Sequence, residues 1–223
     1  RDAFTQGLVW DGRWLFEGTG LEGRSELRRV ELESGRVEQS TALPPEVFGE
    51  GLALVEQRFV QLSWLNQRAF VFERDSFALV REHRYEGEGW GLCYDGQRLV
   101  MSNGSDVLQF RDPQTFELIG RVEVRARGVA VSQLNELECV GGEVYANIWL
   151  TQQIARIDAA TGEVTGLIDT NGILELEGVG DTSGIDVLNG IAYVPERDRF
   201  LITGKLWPRV FEVQFVPQES AVR

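Results

Sequence analysis

Five times along the chain a short phrase recurs whose centre is Gly-Leu or a close copy. It reads Phe4-Thr5-Gln6-Gly7-Leu8, Phe48-Gly49-Glu50-Gly51-Leu52 and Gly89-Trp90-Gly91-Leu92, then more loosely Leu134-Asn135-Glu136-Leu137 and Leu188-Asn189-Gly190-Ile191. From Gly7 through Gly51, Gly91 and Glu136 to Gly190 the steps are 44, 40, 45 and 54 residues. Steps of that size are the period of a propeller blade, a unit that cannot bury its apolar face alone and must stack on its neighbours. The residue before the Gly position varies among the copies: Gln6, Glu50, Trp90, Asn135 and Asn189. A constant frame with one variable position per unit is a way to build a ring of differing side chains on a symmetric scaffold.

Each phrase opens a run of alternating apolar and polar residues, the pattern of a half-buried strand. In the first unit Asp11-Gly12 joins strands 7–10 and 14–17 as a hairpin, and strands 25–33 and 36–42 follow around Ser34-Gly35. The second unit reads as strands 51–55, 58–62, 68–73 and 79–85. The third turns at Asp95-Gly96 and continues with 107–111 and 118–124; the fourth turns at Gly141-Gly142 and continues with 153–158 and 164–169. In the fifth, 196–198 makes the turn and 209–216 the next strand. Four strands in each of five units predict an all-β chain, a five-bladed β-propeller that occupies residues 1–223 as one domain. An insertion between blades four and five runs to about Val187, with a short helix at 173–177 and a Gly-rich stretch, 178–184, read either as a lid or as a plain linker.

Aligning the units exposes a second ring of positions just after each second strand: Glu17-Gly18, Ser63-Trp64, Asn103-Gly104, Ile148-Trp149 and Gly204-Lys205. In a propeller the innermost strand of every blade starts at one end of the channel, and the second strand ends there. The two rings therefore meet at one mouth and gather Gln6, Glu50, Trp64, Trp90, Asn135, Trp149 and Lys205, with Phe4 and Phe48 on the wall. The inference depends on register, because a slip of one residue turns every side chain to the opposite face.

Those residue types suit proton transfer. A carboxyl buried against indoles, as Glu50 would be, has its pKa raised toward neutrality, which lets one group both accept and return a proton. Lys205 and the Asn135 amide are donors for a developing oxyanion, and Trp64, Trp90 and Trp149 offer faces to a small amphipathic or cationic group. Of the 22 basic residues, Lys205 is the single lysine among 21 arginines, and a compact ammonium is more readily tuned than a guanidinium. Each residue also has a plainer reading: tryptophans pack blades, a Glu between glycines makes a turn, and asparagines cap strand ends. The coincidence of all of them on two aligned positions favours a site.

Other chemistries find less support. The net charge of −13 argues against nucleic acid, whose binding rests on cationic contacts to phosphate, and mildly favours cationic ligands such as a peptide amino terminus. No apolar run approaches the ~20 residues of a membrane span. His83, the only histidine, reads as a surface residue, so a His-rich zinc site or a Ser-His-Asp relay is not expected. A Ca²⁺ site made by Glu50, Asn135 and Asn189 is the serious rival, since oxygen ligands suit that ion; a nearby ammonium and three indoles count against it. Cys93 and Cys139 lie near the starts of the third and fourth units but one step out of register. They are expected to face different sides of neighbouring sheets and to be free buried thiols, which leaves the compartment open. The chain opens at Arg1 with no charged-then-apolar leader to read.

The quoted phrases resemble one family closely. Together with Gly23-Arg24-Ser25-Glu26-Leu27-Arg28-Arg29-Val30, Gln61-Leu62-Ser63-Trp64-Leu65, Tyr145-Ala146-Asn147-Ile148-Trp149 and Thr203-Gly204-Lys205-Leu206-Trp207-Pro208, they are similar to the plant-type glutaminyl-peptide cyclotransferases over nearly the whole chain. The resemblance implies a five-bladed propeller that converts the amino-terminal glutamine of peptides to pyroglutamate with release of ammonia. It implies no catalytic cofactor, peptide partners with an amino-terminal glutamine, a monomer, and a family often exported. It also implies the roles: Glu50 as general acid and base, Lys205 and Asn135 binding and polarising the substrate amide, Gln6 orienting the site, and Phe4, Phe48, Trp64, Trp90 and Trp149 as the aromatic cage. Family members usually carry a segment ahead of the first phrase that supplies an outer strand to the last blade. With three residues before Phe4, either segment 218–223 takes that place or the fifth blade is short. A catalytically silent propeller that binds peptide amino termini, a Ca²⁺-dependent hydrolase of the lactonase kind, and a structural Ca²⁺ away from the chemistry are the alternatives.

Overall fold

The computed structural model describes residues 3–180 and 182–217. The first antiparallel sheet takes β1 (Thr5–Trp10), β2 (Leu15–Thr19), β3 (Glu26–Val30) and β4 (Val37–Ala42) in sequence order, and the second takes β5 (Gly49–Val55), β6 (Arg58–Ser63), β7 (Arg68–Glu73) and β8 (Leu79–Arg84). The third comprises β9 (Leu92–Tyr94), β10 (Leu99–Met101), β11 (Val107–Arg111) and β12 (Leu118–Glu123). A small hairpin that sequence reading missed, β13 (Arg125–Ala126) with β14 (Val129–Ala130), turns at Arg127-Gly128 with φ of 51° and 81°. Two successive positive φ values are what a tight two-residue hairpin turn requires. The fourth sheet comprises β15 (Leu134–Val140), β16 (Glu143–Ile148), β17 (Gln153–Asp158) and β18 (Val164–Asp169); α1 (Ile173–Leu176) follows, and then β19 (Leu188–Val194), β20 (Arg199–Gly204) and β21 (Phe211–Val213).

The innermost strands β1, β5, β9, β15 and β19 pack in a closed ring, β19 against β1, so the fold is a five-bladed propeller. Its core is divided into five wedges, one between each pair of neighbouring blades. Phe16, Leu52, Phe59 and Phe70 fill the first wedge; Leu62, Leu92 and Met101 the second; Leu108, Leu137 and Ile157 the third. Ile154, Ile191, Phe200 and Trp207 fill the fourth, and Leu8, Leu15 and Leu201 close the circle. Burying each such side chain stabilises the fold by about 1.5–3 kcal/mol, and no wedge forms until two blades meet. The repeated Gly is explained by the same crowding. A Cβ at Gly7 would meet Leu52 of the next blade, one at Gly51 would meet Leu92, and one at Gly91 would meet the Asn135 carbonyl.

In the fourth blade Glu136 occupies the Gly position, and its carboxyl group reaches the neighbouring fifth blade and, beyond it, the first. It accepts from Leu8 N of β1 (3.1 Å) and Ile191 N of β19 (2.8 Å), while Glu138 accepts from Tyr193 N (2.7 Å). The seam between first and last blades is closed further by Asn189 Nδ2 on Thr5 O (3.0 Å) and Leu206 N on Ala3 O (2.8 Å).

Three expectations are corrected. The fifth sheet has three strands among the described residues, not four, and the strand read over 209–216 contracts to Phe211–Val213. Pro208 and Pro217 flank it, and proline has no N–H for a ladder; segment 218–223 lies outside the described residues. Cys93 and Cys139 are joined by a disulfide with Cα atoms 5.5 Å apart, so neither is a free thiol. Neighbouring blades stack face to back, so residues one step out of register point toward each other across the shared wedge, where both cysteines lie. His83 is half-buried, stacked on Phe116 at 5.9 Å, rather than a plain surface residue.

The helix read at 173–177 forms at Ile173–Leu176. Ile173, Leu174, Val179 and Ile185 of the insertion pack onto the wedge between blades four and five. Among the described residues of 178–184 none lines the cavity described below.

Candidate active site

At the start of four of the five innermost strands, all but β9, the ladder slips by one residue. The slips fall between Thr5 and Gly7, Gly49 and Leu52, Leu134 and Leu137, and Leu188 and Ile191. Such bulges break the period-two alternation and re-aim a side chain. They sit at the variable position of the repeat, which is how Gln6, Glu50 and Asn135 leave the blade wedges and turn to the mouth of the channel. All nine candidate site residues, Phe4, Gln6, Phe48, Glu50, Trp64, Trp90, Asn135, Trp149 and Lys205, line one cavity of about 430 Å³. Leu150 and Asp186 complete the lining, and sequence reading missed both. Leu150 directly follows a ring position and was within reach; Asp186 belongs to the insertion, outside the repeat.

The wall is aromatic. Phe4 meets Phe48 edge to face at 6.0 Å, and Phe48 meets Trp64 at 5.7 Å. Trp90 and Trp149 form a second, near-perpendicular pair at 5.4 Å. Lys205 Nζ lies 5.0 Å from the centre of the Phe4 ring, a cation–π contact. Behind the wall the Tyr85 hydroxyl donates to the Ser63 carbonyl, and burial pushes its pKa up to about 12.

Glu50, Asn135 and Lys205 are 5%, 3% and 6% exposed, so the polar centre of the cavity is buried. Burial raises the Glu50 carboxyl well above the ordinary glutamate range; the Lys205 charge opposes that rise and the Glu88 charge adds to it. Burial lowers the Lys205 ammonium, against the pull of Glu50 and Asp186. The two groups thus approach each other in proton affinity, as an acid–base pair must to act near neutral pH. Gln6 Nε2 donates to Glu50 Oε1 at 3.1 Å. Asn189 Nδ2 donates to Gln6 Oε1 at 3.0 Å, which turns the Gln6 amide the right way round. Asn135 lines the cavity, and its Oδ1 is buried without a hydrogen-bond partner in the protein.

Of the three expected Ca²⁺ ligands, Glu50 and Asn135 line the cavity, while Asn189 does not and donates its Nδ2 to Thr5 O and Gln6 Oε1. Among the described residues no group of three or more His, Cys, Asp or Glu side chains is arranged to hold a metal.

A five-bladed propeller with a tunable carboxyl, an ammonium and an amide inside an aromatic cage defines a class: an enzyme that moves protons on a small, partly apolar group. The family model for glutamine cyclotransferase matches residues 1–215. The chain belongs to that family. It is 40% identical over 226 aligned residues to the glutaminyl-peptide cyclotransferase of Arabidopsis thaliana, covering 99% of this chain and 69% of the plant protein. The crystal structure of Myxococcus xanthus glutaminyl cyclase superposes with a TM-score of 0.89 at 42% identity, over 97% of this chain and 93% of that one. Kuenenia stuttgartiensis hydrazine synthase matches at a TM-score of 0.55 and 14% identity, over 91% of this chain and 56% of that one, which is a likeness of fold alone.

Proposed function

We propose that this chain is a glutaminyl-peptide cyclotransferase that converts the amino-terminal glutamine of peptides to pyroglutamate. The observation that carries the reading is Glu50, a carboxyl 5% exposed, oriented by Gln6 and raised by burial, inside an aromatic cavity. In this mechanism the substrate side chain folds back inside the cage so that its own α-amine faces its γ-carboxamide carbon. Holding that geometry supplies much of the acceleration, because both reacting groups belong to one molecule.

As the amine nitrogen bonds to the carbonyl carbon, ionised Glu50 takes the amine proton. Lys205 stabilises the oxyanion, and Asn135 Oδ1 accepts an N–H of the substrate. Glu50 then gives its proton to the amide nitrogen, the C–N bond breaks, and ammonia leaves. The five-membered lactam remains on the peptide, and Glu50 is an ionised carboxylate again. Every step uses side chains of the cavity, and we propose that no metal takes part.

Mass spectrometry of a Gln-initiated peptide, incubated with the protein in excess chelator, tests this. The parent chain is expected to remove one ammonia per peptide. Glu50→Gln is expected to lose turnover by about 10²–10⁴-fold, the range for a general acid–base, while keeping its circular-dichroism spectrum. Full activity in that variant would remove Glu50 from the mechanism. A folded but inactive parent would favour a propeller that only binds peptide amino termini, and chelator-sensitive turnover would restore the metal reading.

A further inference from the structure

The aromatic wall of the cavity is made of two runs, Phe4–Phe48–Trp64 and Trp90–Trp149. One oxygen ties them together. Glu88 Oε2 accepts from Trp64 Nε1 at 2.8 Å and from Trp90 Nε1 at 2.9 Å. Glu88 sits half-buried in the loop between β8 and β9, in the stretch Glu86-Gly87-Glu88-Gly89. The stretch lies outside both rings of repeat positions.

We infer that Glu88 is a positioning residue that holds the Trp64 and Trp90 indoles at the spacing the substrate side chain needs. An indole N–H is a donor with no acceptor capacity, so each ring needs an oxygen to fix its rotation. A carboxylate serves both with charge-assisted bonds. Trp64 needs this most, because it is 37% exposed and its backbone is held only at the rim, through Trp64 N on Phe48 O (2.9 Å) and Gly89 N on Trp64 O (3.1 Å). Trp90 is already seated against Gly104, where a Cβ would strike the indole. Glu88 therefore ties an exposed ring to an anchored one. Its charge also reaches Glu50 and helps to keep that carboxyl's proton affinity high. The inference rests on the cyclotransferase reading for its kinetic arm and on geometry alone for its spectroscopic arm.

Both bonds end on the same oxygen, which makes the test sharp. In Glu88→Gln the amide oxygen can take that place and serve both indoles. In Glu88→Ala nothing does, and in Glu88→Asp the shorter side chain falls short. The full chain and the three variants are compared by kcat and KM on a Gln-initiated peptide, by tryptophan emission with acrylamide quenching, and by melting temperature.

Glu88→Ala and Glu88→Asp are expected to raise KM about tenfold, the entropy of re-ordering two side chains, with kcat within about threefold, since uniform binding is what is lost. Their emission shifts to the red and quenches more readily. Glu88→Gln restores KM and emission to near the parent values. Parental KM and emission in Glu88→Ala overturn the proposal, as does a Glu88→Gln variant as defective as Glu88→Ala. If the parent releases no ammonia, the cyclotransferase reading fails, and the emission and quenching comparison still decides the clamp.

Discussion

The disulfide between Cys93 and Cys139 allows a quantitative prediction. It links β9 to β15, the innermost strands whose starts carry Trp90 and Asn135, and closes a loop with a sequence separation of 46 residues. In the chain-entropy treatment a cross-link removes from the unfolded ensemble about 2.1 plus 1.5R ln n cal/mol/K, which for this loop is about 4 kcal/mol at 25 °C. A protein of this size shifts its melting temperature by about 2–4 °C per kcal/mol. The double variant Cys93→Ala/Cys139→Ala is therefore expected to melt about 8–16 °C below the parent. Differential scanning calorimetry measures the shift, and alkylation of the unreduced, denatured parent is expected to label no thiol. At 25 °C the variant should keep its turnover, because the close approach of Gly91 to the Asn135 backbone and the Ser102 hydroxyl bridging Gly91 N and Asn135 O (2.7 Å each) already hold the two strands. A double variant melting within about 2 °C of the parent would refute the loop-entropy argument. One that melts as expected but has lost activity would mean that the bridge, not the backbone contact, positions Asn135.

Three further outcomes follow from the geometry. Asn189→Leu removes the donor that orients Gln6; with a hydrogen bond worth about 1–1.5 kcal/mol, kcat should fall about tenfold, and a variant with parental kcat would show that Gln6 orients itself. The profile of kcat/KM against pH should be bell-shaped. Glu50 must be ionised to take the amine proton, so the rate rises through a point well above the 4.5 of an ordinary glutamate; the other limb reflects loss of the Lys205 charge below the 10.5 of an ordinary lysine, and both limbs belong to the coupled pair. Because the Lys205 charge lowers Glu50, Lys205→Met should move the acid limb to higher pH, and an unmoved limb would break the assignment. Glu138, raised by burial to about 8, binds its proton more tightly folded than unfolded. Its contribution is therefore greatest at low pH and declines as pH rises from the ordinary glutamate range toward 8. Denaturant midpoints measured across that window should fall for the parent and fall less steeply in Glu138→Gln, where Glu50 and Glu136, also raised by burial, still contribute; equal slopes would mean that the Glu138 carboxyl is ionised throughout.

Much of the site was legible because a propeller repeats its frame. Gly7, Gly51 and Gly91 mark where innermost strands nearly touch, and the residue before each faces the mouth, so alignment of the units selects Gln6, Glu50, Trp90 and Asn135 without coordinates. The second ring selects Trp64, Trp149 and Lys205 by the same logic. Residues off the repeat were not legible. Asp186 lies in the insertion, and Glu88 lies in the loop before β9, outside both rings. Asn189 was visible in the repeat, but its orientation toward Gln6 was not, because the direction of an amide depends on its partners.

The amino-acid sequence by itself determined the number of blades, the four-strand plan of the first four and nine of the eleven side chains at the mouth. All of these follow from local alternation and a period of roughly forty residues. Tertiary structure decided what happens between blades. It set the face-to-back stacking that brings Cys93 to Cys139, the reach of Glu136 to Leu8 and Ile191, the single oxygen joining two indoles, and the third strand at which the described fifth blade stops. Periodicity encodes how a unit pairs with itself. Contacts between units exist only once the ring has closed, and closure is a property of the whole chain.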